Sequence, residues 1–206
     1  MKMRTYITVI SFGALIAMFA AGCATTQLTS AWKDPAYQGR VGKIMVVGVA
    51  KSAANKRLFE DEFVRQFKAK GTDAVASYTV MPDDKQGDND AIAATMKEQG
   101  ADAVLISRLV SKKTVQTYVA GNATHLSTFS GNWRDYHRSG YEAMYGNGYI
   151  AEDEYALMET NIYDAGNEKL IWGATSETEM KSSNQDSIKS YINVIVNSMF
   201  EQKILR

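Results

Sequence analysis

The run Lys43-Ile-Met-Val-Val-Gly-Val-Ala50 constrains this chain more than any other segment, because its apolar residues occupy odd and even positions alike. Side chains of a strand alternate between faces, so a strand apolar on both parities is covered on both. This predicts a sheet with helices above and below, with Lys43 to Ala50 as its central strand. Ala54 to Lys70 then sets Leu58, Phe59, Phe63, Val64 and Phe67 on one helical stripe, leaving Asp61, Glu62, Arg65 and Lys68 for the wet side. Gly71 is placed to end that helix. Asp73 to Thr79 reads as a second strand, followed by an Asp-rich loop around Pro82, a second helix over Ala91 to Gln99 capped by Asp90 and stopped at Gly100, and a third strand over Asp102 to Val110. Strand, helix, strand, helix, strand with short links is the pattern of right-handed crossovers between parallel strands.

After Ile150 the pattern changes. Glu152 to Tyr163 and Lys169 to Met180 flank Asp164-Ala165-Gly166-Asn167-Glu168, turn chemistry suited to an antiparallel hairpin. Ser187 to Ile204 carries Ile188, Tyr191, Ile192, Ile195, Met199 and Phe200 at helical spacing. The expected fold class is therefore α/β, a mixed sheet of about five strands in the order β-α-β-α-β, then the hairpin and a C-terminal helix, with the helices packing on the sheet. Residues 43–206 form one domain, interrupted at about 119–149 by an insertion rich in Gly, Asn, Ser and aromatics. Connections of that length are usually functional or disordered. Phe129, Trp133, Tyr136, Tyr141, Tyr145 and Tyr149, interleaved with Arg134 and Arg138, are the candidate partner-binding residues, since aromatics and Arg supply contact area at modest entropic cost. A collapsed loop, a hairpin extension and a glycan-stacking platform are the other readings.

The amino-terminal region directs the chain rather than folding with it. Lys2 and Arg4 precede an uncharged apolar stretch from Tyr6 to Ala21, and Ala20-Ala21-Gly22 leads to Cys23, the one cysteine among 206 residues. That is the anatomy of a secretory signal, residues 1–22, ending at a lipidation site. The run is slightly short for a membrane span, which takes about 20 apolar residues. Residues 23–42, with Thr, Ser, Gln, Gly and Pro35, read as a lipidated tether, within which Trp32 packs on the domain edge or anchors at the membrane interface. With the leader removed, Lys2 and Arg4 go and no acid does, so 23 basic against 23 acidic residues become 21 against 23. A nearly neutral body has no electrostatic basis for binding nucleic acid. With Cys23 given to lipid, no thiol remains for a disulfide, a zinc site or nucleophilic catalysis.

Catalytic patterns are weak. His125 and His137, the only histidines, share the insertion with Ser127, Ser130 and Asp135, but no Gly-x-Ser-x-Gly elbow occurs. The acidic stretch from Asp83 to Asp90 lacks the spacing of a calcium loop and reads as a solvated turn feeding a helix. The first strand runs into Gly48-Val49-Ala50-Lys51-Ser52-Ala53, which offers one glycine where a nucleotide site requires several. Glu60, Asp61 and Glu62 point in different directions around a helix and read as a wet face. Glu152, Asp153 and Glu154 alternate across a strand and read as solvated. No metal and no cofactor is expected.

The lipidation site together with Thr29-Ser-Ala-Trp-Lys-Asp-Pro35, Lys43 to Ala50, Phe59-Glu-Asp-Glu-Phe63, Gly100-Ala-Asp-Ala-Val-Leu105 and Glu159-Thr-Asn-Ile-Tyr-Asp164 resembles a family of uncharacterised Gram-negative outer-membrane lipoproteins. In topology the chain is also similar to the amino-terminal domain of TolB and to the periplasmic domains of curli-secretion and penicillin-binding-protein-activator lipoproteins. The resemblance implies acylation at Cys23 and, with Ala24 and Thr25 following it, residence in the outer membrane, facing the periplasm. It supplies no catalytic residue, and fold-level likeness does not fix function. The expected protein is a non-enzymatic lipoprotein that binds an envelope protein or assembles with itself. A glycan or small-ligand carrier and an envelope hydrolase are the alternatives.

Overall fold

A computed structural model describes residues 26–119, 132–145, 148–180 and 184–206. The elements are β1 (Thr26–Lys33), β2 (Lys43–Val49), α1 (Ala53–Ala69), β3 (Asp73–Ala76), α2 (Ser77–Val80), α3 (Asn89–Gln99), β4 (Ala103–Val119), α4 (Trp133–Tyr145), β5 (Tyr149–Asp164), β6 (Leu170–Glu179) and α5 (Asn184–Glu201). They make a mixed α/β fold on one six-stranded sheet of order β1-β6-β5-β4-β2-β3. β3, β2 and β4 are parallel, and β4, β5, β6 and β1 are successively antiparallel.

The two-face pattern of β2 holds. Ile44 and Val46 pack with Phe59, Phe63 and Phe67 of α1 and with Ile192, Ile195 and Met199 of α5. Met45 and Val47 pack on the opposite face with Met96 of α3, Ala101 and Val104. β2 is nevertheless not central: it lies one strand from the edge, and β4 and β5 hold the middle.

Both early helices end as their sequences predict. Gly71, at φ +92°, follows α1, where Gly71 N–H donates to Lys68 O and Thr72 N–H to Phe67 O. Gly100, at φ +60°, does the same for α3. These are paired closures that need a left-handed residue just past the helix. The cap at the other end of α3 is Asp88, not Asp90, because the Asp88 carboxylate accepts from Asp90 N–H and Ala91 N–H at 3.0 and 3.2 Å.

Three further expectations are corrected. Residues 26–33, expected within the tether, form the edge strand β1, paired to β6 from Thr26↔Thr178 to Lys33↔Trp172. Thr26 bonds Thr178 at 3.0 Å and Thr29 bonds Thr175 at 2.7 Å, cross-strand hydroxyl pairs that carry no apolar alternation. Trp32 lies on this edge strand, half exposed. The second strand stops at Ala76 rather than Thr79, because Ser77 and Tyr78 turn to meet a carboxylate of α1. β4 runs nine residues past Val110. From Thr114↔Glu154 to Val119↔Tyr149 it pairs with β5 beyond the end of β6, so the two form a ribbon about 20 Å long standing clear of the core. Gly148 is required there, since an added Cβ would lie 2.6 Å from the Val119 carbonyl oxygen.

Candidate functional site

Two features stand out, a cleft where the parallel strands end and the ribbon that leaves from the same end of the sheet. β2 ends at Gly48-Val49-Ala50, and Ser52 then opens α1, its Oγ accepting from Asn55 N–H at 3.4 Å. Ligand crevices of α/β sheets open at such carboxyl ends. The cleft here has a volume of about 750 Å³. α1 forms one wall, α5 another, and β4 and β5 the floor.

Behind the cleft lies a buried carboxylate that the sequence reading assigned to solvent. Glu60 is fully buried. Its Oε1 accepts from Gly48 N–H at 2.8 Å and from the Ser77 hydroxyl at 2.8 Å, and its Oε2 accepts from Tyr78 N–H at 3.1 Å. The Lys56 ammonium stands 3.6 Å away and also donates to Gln86. Glu60 thus ties the end of β2 to the start of α2 through α1. Four residues after Lys56 and three before Phe63, it sits within the apolar stripe, and that spacing was the signal available in the sequence. Glu62 is buried too, held by Arg65 at 2.5 Å and Gln66 at 2.7 Å. The Arg65 hydrogen bond keeps its carboxyl below the usual range. Of the three acids only Asp61 is on the wet face, where it accepts from the Tyr78 hydroxyl at 2.6 Å.

A triangle of hydroxyls lies under the cleft floor, and two of its members, Ser107 and Tyr191, line the cleft. Ser107 bonds Thr160 at 2.9 Å and Tyr191 at 2.7 Å, Thr160 bonds Tyr191, and Ser107 also donates to Glu159 O at 3.2 Å. Three hydroxyl protons serve four contacts, so none is spare for a ligand. Burial pushes the Tyr191 phenol up to about 12, against the pull of Ser107 and Thr160.

The ribbon leads to the aromatic region. On α4, Trp133, Tyr136, Tyr141 and Tyr145 are all more than half exposed, as are Tyr118, Tyr149 and Ile150 on the ribbon itself. His137 stacks on Tyr141 with ring centres 6.2 Å apart, and Tyr141 meets Tyr145 at 4.5 Å. Four-residue spacing therefore lines Trp133, His137, Tyr141 and Tyr145 along the helix. The Arg134 guanidinium lies 5.5 Å from the Trp133 ring centre. Four of the six candidate partner-binding residues thus lie on α4 and a fifth, Tyr149, at the far end of the ribbon; Phe129 lies outside the described residues, as do Cys23, His125, Ser127 and Ser130. Among the described residues no three His, Cys, Asp or Glu side chains converge as a metal site. The acidic stretch becomes a short turn over Asp83–Lys85 and the cap Asp88.

Thr26 pairs with Thr178, Thr178 lies opposite Ala156 on β5, and Ala156 lies opposite Lys112 on β4. The described chain therefore begins at the end of the sheet where the cleft opens and the ribbon departs. No described helix is long and apolar enough to cross a membrane.

No protein-family model matches this chain, and no curated protein matches it. Among solved structures it is similar to the PelC dodecamer from Paraburkholderia phytofirmans, at 12% identity over 88% of this chain and 99% of that one, with a TM-score of 0.47. It is also similar to lipoprotein GNA1162 from Neisseria meningitidis, at 14% identity over 78% of this chain and 99% of that one, with a TM-score of 0.42. Both are similarities in the path of the backbone.

Proposed function

We propose that this chain is an outer-membrane lipoprotein, acylated at Cys23 and facing the periplasm, that works by binding protein rather than by catalysis. Its partner is a second copy of itself or another protein held at the same membrane. The observation that carries this reading is the ribbon that bears α4 away from the core with Trp133, Tyr136, Tyr141 and Tyr145 facing outward. Contiguous exposed aromatic surface of this kind marks interaction sites, and Trp, Tyr and Arg dominate the energetics of protein interfaces. The anchor supports the same reading. β1 starts at Thr26, three residues after Cys23, so an acylated cysteine would hold the domain within about 10 Å of the lipid surface. Confinement to one surface raises the effective concentration of anything else anchored there.

Two measurements test the reading. Mass spectrometry of the mature amino-terminal peptide is expected to show Cys23 carrying diacylglyceryl and amide-linked acyl groups; an intact leader or an unmodified thiol removes the anchor. Photo-cross-linking in cells from a probe at Tyr136 is expected to give discrete adducts that disappear when Trp133, Tyr141 and Tyr145 are changed to Ala. An adduct pattern unchanged by those substitutions removes the aromatic helix from the function.

A further inference from the structure

The cleft has no part in that reading, and its chemistry points elsewhere. Its volume of about 750 Å³ falls within the range of small-molecule sites. Its walls are apolar, made by Phe59 of α1, Leu109 of β4, Met158 of β5, Met180 just past β6 and Ile188 of α5. Its charge is of one sign: Lys51, Lys56, Arg108 and Lys112 line it, and no Asp or Glu does. In a chain with equal numbers of acids and bases that segregation is not compositional.

The four cations differ in what already holds them. Lys56 is bound to Gln86 and lies beside Glu60, and Arg108 pairs with Glu159 at 2.6 Å. Lys112 stands 3.5 Å from Glu154, both more than half exposed, a pairing worth little in water. Lys51 has no ion-pair partner among the described residues and sits beside the amino end of α1. There the N–H groups of Ala53 and Ala54 lack acceptors within the helix, and the helix dipole favours negative charge.

We propose that this cleft binds a single-chain anionic amphiphile, with its apolar tail over Phe59, Met158 and Ile188 and its carboxylate or phosphate at Lys51, Lys112 and the first turn of α1. The hydroxyl triangle argues against the main competitor, a sugar. A sugar needs converging donors, and Ser107, Thr160 and Tyr191 have already committed theirs to one another and to Glu159 O. Because those hydroxyls are internally satisfied, an apolar tail lying over them strands no buried polar group. The supply of ligand follows from position: Thr26 bonds Thr178, a residue of the cleft lining, so the mouth lies near the chain's entry point. This last step rests on acylation at Cys23; the binding argument does not.

The test is photolabelling of the full-length protein in phosphatidylcholine nanodiscs, with a dodecanoate analogue bearing a terminal diazirine, mapped by mass spectrometry. Labelling is expected to saturate, to fall on peptides containing Phe59, Met158 or Ile188, and to be competed by dodecyl phosphate but not by dodecyltrimethylammonium. Lys51→Glu with Lys112→Glu, both at exposed positions, is expected to weaken labelling about tenfold. If charge reversal lowers the urea midpoint, Lys51→Gln with Lys112→Gln takes its place. Labelling that rises linearly with probe, that is competed equally by the cationic amphiphile, or that survives both pairs of substitutions overturns the proposal. Competition by inorganic phosphate equal to that by dodecyl phosphate would reduce the site to a phosphate site and overturn the amphiphile. Saturable labelling of a chain shown to lack acyl groups at Cys23 would uphold the cleft and remove only the anchor.

Discussion

Changing Glu60 to Ala probes the arrangement that sequence reasoning missed. The carboxylate is fully buried and satisfies Gly48 N–H, the Ser77 hydroxyl and Tyr78 N–H while facing the Lys56 ammonium at 3.6 Å. Removing it leaves the buried Gly48 N–H unpaired, at about 1–3 kcal/mol, frees the part-buried Tyr78 N–H as well, and strips Lys56 of its counter-charge. Lys56 keeps Gln86, so the separate losses do not simply add. The expected total is about 3–5 kcal/mol, the range for deleting one partner of a buried ion pair. In a chain of this size that lowers the melting temperature by roughly 10 °C. Urea denaturation is the assay, read as a fall in midpoint at constant slope. Glu60→Gln keeps the shape and one acceptor oxygen, and is expected to cost about half as much. Because Lys56→Met removes the ammonium that Glu60→Ala strands, the double variant should be less destabilised than the sum by about 1 kcal/mol or more. A cost below about 1 kcal/mol for Glu60→Ala, or strict additivity with Lys56→Met, would refute the reasoning.

Other outcomes follow from neighbouring features. Tyr191 is raised in the fold from 10.0 to about 12, so the folded state holds this proton more tightly than the unfolded chain. Its contribution is complete below pH 10 and lost as pH rises toward 12, a fall of about 2–3 kcal/mol that urea midpoints across that window should show and Tyr191→Phe should abolish. At Gly48 an added Cβ would lie 3.2 Å from Phe59 Cδ1 and 3.4 Å from Glu60 Cγ; Gly48→Ala is expected to cost about 1–3 kcal/mol by overcrowding, and a neutral urea midpoint would show that α1 yields. Trp133→Ala, Tyr141→Ala and Tyr145→Ala, at side chains more than half exposed, should each leave stability within about 0.5 kcal/mol of the parent. A larger loss would mean that α4 is packed against the domain.

The parallel half of the fold was legible because its signals are local or periodic. Apolar residues on both parities of Lys43 to Ala50, the aromatic stripe of Phe59, Phe63 and Phe67, and Gly71 and Gly100 just past two helices each act within one or two turns of chain. The late hairpin and closing helix were legible for the same reason. The aromatic candidates were found by composition, but their common helix and the ribbon that carries it were not, since β4 beyond Val110 is a polar, exposed strand held by its backbone pairing with β5 and by cross-strand polar contacts such as Gln116 to Glu152.

The sequence by itself determined which segments are helix or buried strand, because periodicity and caps are written in neighbouring residues. Tertiary structure alone decided the rest. β1 exists because its backbone and hydroxyls find β6, about 150 residues away, and no apolar pattern announces that partner. Glu60 is buried because donors from the end of β2 and the start of α2 converge on it, which turns an acid expected in water into a tie between elements. The cleft is likewise a product of assembly, since Lys51, Lys112 and Ile188 line one cleft only once the start of α1, β4 and α5 have packed. Contacts between segments far apart in sequence leave no period in either one, and only the folded chain brings them together.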